Sequence, residues 1–143
     1  MSDSTAQTPG APDSETIAQS GRLFDMARDG ETAALAQYLD AGVPAALTNE
    51  AGDSLVMLAA YYGNAETVDL LLARGADPNE ANDKGQTPLA GAVFKGQVAI
   101  VRALLAAGAD PAAGFPSAID AAKMFGKIDL LALFEGAEAG TEG

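Results

Sequence analysis

Neither cysteine nor histidine occurs anywhere in the 143 residues. The first absence excludes disulfides, thiolate metal ligands and a cysteine nucleophile. The second removes imidazole, and with it imidazole-thiolate zinc sites and nearly all Ser-His or Cys-His catalytic arrangements. An enzyme built on this chain would have to work through carboxylates, lysine, tyrosine or a bound cofactor. Aromatic residues are scarce too, at 6% where hydrophobic residues as a whole make up 48%. The apolar content is therefore mostly Ala, Leu and Val, small side chains that suit closely stacked helices.

Positive charge is thin. Eight basic residues face 20 acidic ones, for a formal net charge of −12. The cations Arg22, Arg28, Arg74, Lys84, Lys95, Arg102, Lys123 and Lys127 are scattered rather than clustered. Net negative charge of this size repels phosphate backbones and anionic lipid, which argues against nucleic-acid and membrane-surface partners. No apolar run approaches the roughly 20 residues that span a bilayer. Met1 to Ser20 lacks a basic region followed by an apolar stretch, so it does not read as a secretory signal. The expected setting is the cytoplasm.

Composition divides the chain in three. Residues 1–20 are rich in Ser, Thr, Pro, Gln and acid, with Ile17 the one large aliphatic residue after Met1. Such a segment buries too little apolar surface to offset its ordering entropy, and a disordered acidic tail is expected. Residues 136–143 read as a second flexible tail. The segment between, 21–135, repeats itself. Shifting Glu50 onward by 33 residues pairs Gly52 with Gly85, Gly63 with Gly96, Leu71 with Leu104, Leu72 with Leu105, Gly75 with Gly108 and Asp77-Pro78 with Asp110-Pro111. A further shift back finds Gly30, Leu39 and Gly42, and a step of 30 forward from Gly96 finds Gly126, the last unit having lost three residues in its entry loop. Four units result, at about 21–49, 50–82, 83–113 and 114–135.

Each unit reads as two short helices and an extended turn. In the third, Thr87 is placed to cap a helix with Pro88 at its first position, where the missing N–H costs nothing. That helix stops at Gly96. A second, over about 98–107, puts Val98, Val101, Leu104 and Leu105 on one face. Gly108 then supplies the left-handed cap and Asp110-Pro111 cannot continue the helix. In the second unit Ser54 is the cap, Gly63 the stop, and Val68, Leu71 and Leu72 the apolar face. One such hairpin cannot bury its apolar faces alone, whereas stacked neighbours can, so the predicted fold is an all-α solenoid.

The run Gly85-Gln86-Thr87-Pro88-Leu89-Ala90-Gly91-Ala92, then Gly96, then Val101 to Pro111 with its Leu-Leu-x-x-Gly-Ala-Asp-Pro, resembles an ankyrin repeat. The resemblance covers residues 22–135. The His that usually follows Thr-Pro-Leu in that family is Ala90 here, Met57 in the second unit and Phe24 in the first. The family's Gly-His at the helix junction becomes Gly63-Asn64 and Gly96-Gln97. Since the box His hydrogen-bonds between neighbouring loops, the resemblance implies less rigid loops in this chain. The first and fourth units diverge most, as capping repeats do, with Glu31, Gln37, Asp40, Asp129 and Glu135 giving their outer helices a polar face.

The resemblance also implies where a partner would bind: the turn tips and the exposed ends of the first helices, which line a concave groove. The two residues before each junction glycine fall there. They are Arg28-Asp29, Tyr61-Tyr62, Phe94-Lys95 and Met124-Phe125, so four of the eight aromatic residues share one stripe. Aromatic residues and Met are enriched at protein interfaces. Tyr61 and Phe94 are open to a second reading, as packing between repeats, while Tyr62, Lys95 and Phe125 are expected to be exposed. Phe24, Tyr38 and Phe134 read as core. The tip residues Glu50, Ala51, Asp53, Asp83, Lys84 and Gln86, with Asp29, make one edge mostly acidic. That edge is either a solvated surface or a contact for a partner with a basic patch.

No metal or phosphate site is expected. Asp77-Pro78-Asn79 and Asp110-Pro111 are turn punctuation. Asp3, Asp13 and Glu15 lack the spacing of a calcium loop, and the stretch from Gly91 to Gly96 lacks that of a phosphate loop. The leading functional expectation is therefore a non-catalytic, monomeric module, without cofactor, that holds a protein partner in its groove. Small bacterial-type ankyrin proteins, which the Ala- and Gly-rich composition resembles, supply an alternative: an accessory protein to a redox enzyme such as a catalase. A carboxylate-based enzyme would need an enclosed pocket with two converging acids, where the resemblance implies an open groove.

Overall fold

The computed structural model describes the backbone of residues 14–142 and the side chains of residues 21–135. Among the described residues there are eight helices and no strands. They run α1 Ser14–Asp29, α2 Thr32–Asp40, α3 Leu55–Tyr61, α4 Ala65–Ala73, α5 Pro88–Phe94, α6 Val98–Ala106, α7 Ala118–Met124 and α8 Ile128–Glu142. The odd-numbered helices pack in sequence as an inner layer, the even-numbered ones as an outer layer, and each pair forms one hairpin. This is the four-unit helical solenoid that the 33-residue period predicts.

The caps expected at Ser54 and Thr87 are present, and Ser117 is a third. Ser54 Oγ accepts from the Met57 N–H at 3.1 Å, Thr87 Oγ1 from Ala90 at 3.2 Å and Ser117 Oγ from Asp120 at 3.0 Å. All three caps are buried. The inner helices have only seven residues in three of the four repeats, far fewer than an isolated helix needs in water. Packing on both sides compensates: every residue from Leu55 to Ala60 is buried. An all-apolar segment of that kind is what a helix enclosed by neighbours requires.

The core lies between the two layers. Leu23, Leu35, Leu55, Val68, Leu71, Leu89, Val93, Val101, Leu104 and Phe134 are all fully buried or nearly so. Phe24 and Phe134 are buried as expected, and Tyr38 is half-buried against the same cluster. In α6 the buried arc is rotated from its expected position. Ile100, Val101 and Leu104 form it, Leu105 is half-buried, and Val98 is 45% exposed. Val98 opens the helix, and of its first turn only Ile100 and Val101 face the core. In α4 the place of Ile100 is taken by Thr67, fully buried, whose hydroxyl lies 2.7 Å from that of Thr32 in the preceding repeat.

Repeats are also joined through their junctions. The Asn64 amide donates to the carbonyls of Ala27 and Arg28, at 2.8 Å each. Those are the end of the inner helix one repeat earlier, where carbonyls lack intrahelical partners. Gly30 makes this possible: its φ is +77°, and a Cβ there would come within 2.8 Å of Asn64 Oδ1.

Both terminal helices extend into the segments expected to be flexible. α1 begins at Ser14 and α8 continues to Glu142. A helix already nucleated by packed turns propagates at low cost. Residues 1–13 and Gly143, the remainder of those two expected tails, lie outside the described residues.

Candidate protein-binding groove

The inner helices α3, α5 and α7 each end two residues before their junction glycine, and this delivers a side chain to the same edge of the stack once per repeat. Tyr61 is half-buried, Tyr62 is 53% exposed, Phe94 54%, Met124 66% and Phe125 46%. The rings touch in series. Tyr61 and Tyr62 meet edge to face with centroids 5.4 Å apart, Tyr61 and Phe94 stack at 6.4 Å, and Phe94 and Phe125 meet edge to face at 5.3 Å. These are the separations and orientations at which aromatic quadrupoles attract. The two readings of Tyr61 and Phe94 thus merge, because the rings pack across the repeat boundary and still leave Phe94 open to solvent.

Two open cavities lie along this stripe and share Tyr61 as a wall. The first, about 300 Å³, lies between repeats three and four. Its floor is Ala90, Gly91 and Ala121, and its walls are Tyr61, Phe94, Met124 and Phe125. The small floor residues leave room for a side chain that the large walls then flank. The second, about 440 Å³, lies between repeats two and three, with Tyr61 and Tyr62 on one side and Asp53, Asp83, Lys84 and Gln86 on the other. Met57, at the position where the box His was missed, is buried beneath both cavities.

The turn tips that edge the second cavity are held by asparagines. Asn82 Oδ1 accepts from the Lys84 and Gln86 amides, while its Nδ2 donates to Asp53 Oδ1 and Gln86 Oε1 at 2.8 Å each. Asn49 Oδ1 likewise accepts from Ala51 and Asp53. Backbone bonds link successive tips, from Asp83 N–H to Ala51 O at 3.0 Å and from Phe115 N–H to Gly85 O at 2.8 Å. Neighbouring loops are thus hydrogen-bonded to one another without a box histidine. Gly52 lets two tips approach closely, since a Cβ there would lie 2.5 Å from Asp83 Oδ1.

Not every expected residue joins the stripe. Lys95 is exposed and its Nζ sits 5.0 Å from the centroid of the Tyr61 ring, a cation–π contact. Arg28 and Asp29 stand a repeat away from both cavities at the end of α1, and the Arg28 guanidinium is engaged by Asp25 at 2.6 Å. Sequence reasoning passed over Phe115 and Pro116. Phe115 is 81% exposed on the last turn tip and Pro116 lines the first cavity. An aromatic residue inside a turn, outside any helical period, was the signal available for it. Asn82 was missed as well, although its place next to the acidic tips invited the question of what orients them.

Among the described residues no group of three or more His, Cys, Asp or Glu is placed to hold a metal ion. No helix among them is long and apolar enough to cross a membrane. What the groove offers is an apolar and aromatic surface beside oriented carboxylates, a surface for recognition.

An all-helical repeat stack with such a groove belongs to the class of solenoid interaction domains. The family model for ankyrin repeats, in three copies, matches residues 23–114, and the chain belongs to the ankyrin-repeat family. A Pseudomonas aeruginosa protein described as an ankyrin repeat protein is 50% identical over 58 residues, which cover 41% of this chain and 34% of that relative. The matched part thus spans about a third of the relative's length. Ankyrin repeats generally serve as protein–protein interaction modules, and the family is typically non-catalytic.

Proposed function

We propose that this chain is a non-catalytic, monomeric module that binds a protein partner across the ends of α3, α5 and α7. One observation carries the reading: Tyr62, Tyr61, Phe94 and Phe125 form an unbroken series of ring contacts over three repeats, and three of the four rings are about half exposed. Rings held by one another lose little entropy on binding, and large pre-oriented aromatic surfaces are where interface energy concentrates. The turn tips complete the surface with Asp53, Lys84 and Gln86. A chain without histidine or cysteine, carrying net charge −12, is suited to protein recognition and poorly suited to phosphate backbones or anionic lipid.

The test is site-specific photocrosslinking in the cell of origin. A photoreactive phenylalanine analogue replaces Tyr62 or Phe125, and in a control replaces Ala99, exposed on the outer helix α6. The reading expects one adduct common to positions 62 and 125 and absent at 99. An adduct at 99 alone, or none at either groove position, would overturn it.

A further inference from the structure

We infer that the occupant of this groove is a basic amphipathic helix of the partner protein, with apolar anchors between repeats three and four and an arginine between repeats two and three. The inference rests on the binding reading above and adds the chemistry of the partner. It comes from the two cavities being chemically different. The first is walled by Phe94, Met124 and Phe125 and bears no charged residue, so it takes an aliphatic or aromatic side chain. The second pairs exposed Tyr62 with Asp53 and Asp83. Asn82 engages Asp53 Oδ1, and among the described residues no hydrogen bond or ion pair engages the Asp83 carboxylate. A planar guanidinium, with its fork of donors and its affinity for aromatic faces, matches carboxylates beside a ring better than an ammonium does.

The stack itself supplies a precedent. Lys95 already places a cation over the Tyr61 ring, so these rings accept positive charge. Lys84 lies in the same cavity and offsets one of its two acids, yet the chain as a whole carries −12 and its field favours a cationic partner. That charge also disfavours a second copy of the chain as occupant.

Spacing selects a helix over a strand. Neighbouring inner helices pack about 8–10 Å apart, and side chains seven residues apart on one helix face are separated by about 10.5 Å along its axis. Same-face side chains on a strand fall at about 6.7 Å or 13 Å instead.

The test is selection of a displayed library of helical segments, each of roughly 20 residues, on the full chain, followed by fluorescence anisotropy with a synthetic peptide of the enriched sequence. The expected consensus is an apolar pair at i and i+3 or i+4 with arginine one heptad away. Affinity of that peptide should fall about three- to tenfold in D53N/D83N, the effect of one or two partly exposed charge pairs. It should also fall as salt rises from about 50 to 500 mM. Asp53→Asn keeps the acceptor for Asn82, and Asp83→Asn alone serves as a second variant. Asp69→Asn and Glu135→Gln remove exposed charge from the outer helices and should leave binding unchanged. Neutral or acidic segments that bind and are lost in F94A/F125A would overturn the basic partner and leave the groove reading intact. Segments indifferent to F94A/F125A would overturn both readings. Absence of enrichment, or a dimer in sedimentation that F94A/F125A dissolves, would overturn the inference as well.

Discussion

The rings of Tyr61 and Phe94, contributed by successive repeats, lie within 9° of parallel with centroids 6.4 Å apart. The pair couples a packing role to an exposed surface, and the two separate on mutation. Phe94 is 54% exposed, so Phe94→Ala forfeits mainly its ring pairs, about 0.5–1.5 kcal/mol each. Urea denaturation should show a loss near the low end of that range. Partner binding should fall by 2 kcal/mol or more, roughly thirtyfold, if the ring is a hot spot. A full core-type loss of stability with binding retained would reassign Phe94 to the repeat interface.

The buried arc of the outer helices gives a sharper stability contrast. Leu71 and Leu104 are fully buried, and truncating either to Ala should cost about 2–5 kcal/mol, depending on how far the site collapses. Val98 is 45% exposed, and Val98→Ala should remain within about 0.5 kcal/mol of wild type. Equal denaturant midpoints for Leu104→Ala and Val98→Ala would contradict the rotated face.

That contrast marks how far the sequence could be read. The 33-residue period, the Thr87-Pro88 start and the Gly108 stop locate the helices of the third unit, because caps and breakers act locally on the backbone. The phase of the buried face is a tertiary property. Val98, Val101, Leu104 and Leu105 satisfy the helical period as well as Ile100, Val101 and Leu104 do, and only the neighbouring inner helix decides between them. The same limit applies in the groove. Pairing residues before each glycine brings Tyr61, Tyr62, Phe94 and Phe125 into one stripe, since their place in the repeat fixes their edge of the stack. Arg28 and Asp29 hold that same place, yet neither lines either of the two cavities along the stripe. Phe115 escaped notice because a turn imposes no period, and the cavity floor of Ala90, Gly91 and Ala121 is a void, which no motif announces.

The junction of the first two repeats should behave as a coupled pair. Asn64→Ala removes two hydrogen bonds to Ala27 and Arg28, a loss of about 1–3 kcal/mol. Gly30→Ala suffers twice, from a left-handed φ of +77° and from a 2.8 Å approach to Asn64 Oδ1. Left-handed backbone alone costs an alanine roughly 1–2 kcal/mol. In the double variant the collision disappears while the backbone penalty and the loss of the two Asn64 hydrogen bonds remain, so the two single losses should sum to more than the double variant loses. A double-mutant cycle from chemical denaturation measures the difference, expected at about 0.5–3 kcal/mol. Strict additivity would mean that Asn64 does not occupy the space over Gly30.

Thr87 offers a test of capping separated from packing. Its hydroxyl accepts from the Ala90 N–H at 3.2 Å, and the residue is only 2% exposed. Its methyl group closes against the next tip, where a Cβ on Gly114 would come within 2.8 Å of Thr87 Cγ2. Thr87→Ser keeps the acceptor and deletes the methyl, and Thr87→Ala loses the cap. N-cap removal costs about 0.5–2 kcal/mol, and a buried methyl about 0.8 kcal/mol. Thr87→Val loses the acceptor as Thr87→Ala does but keeps the methyl contact, so it should be more stable than the alanine variant, which loses both. The expected order of thermal midpoints is wild type, then Ser, then Val, with Ala lowest. If valine matched the wild type, the stability carried by Thr87 would lie in its methyl contact, and the short inner helix α5 would owe its start to Pro88 and to burial alone.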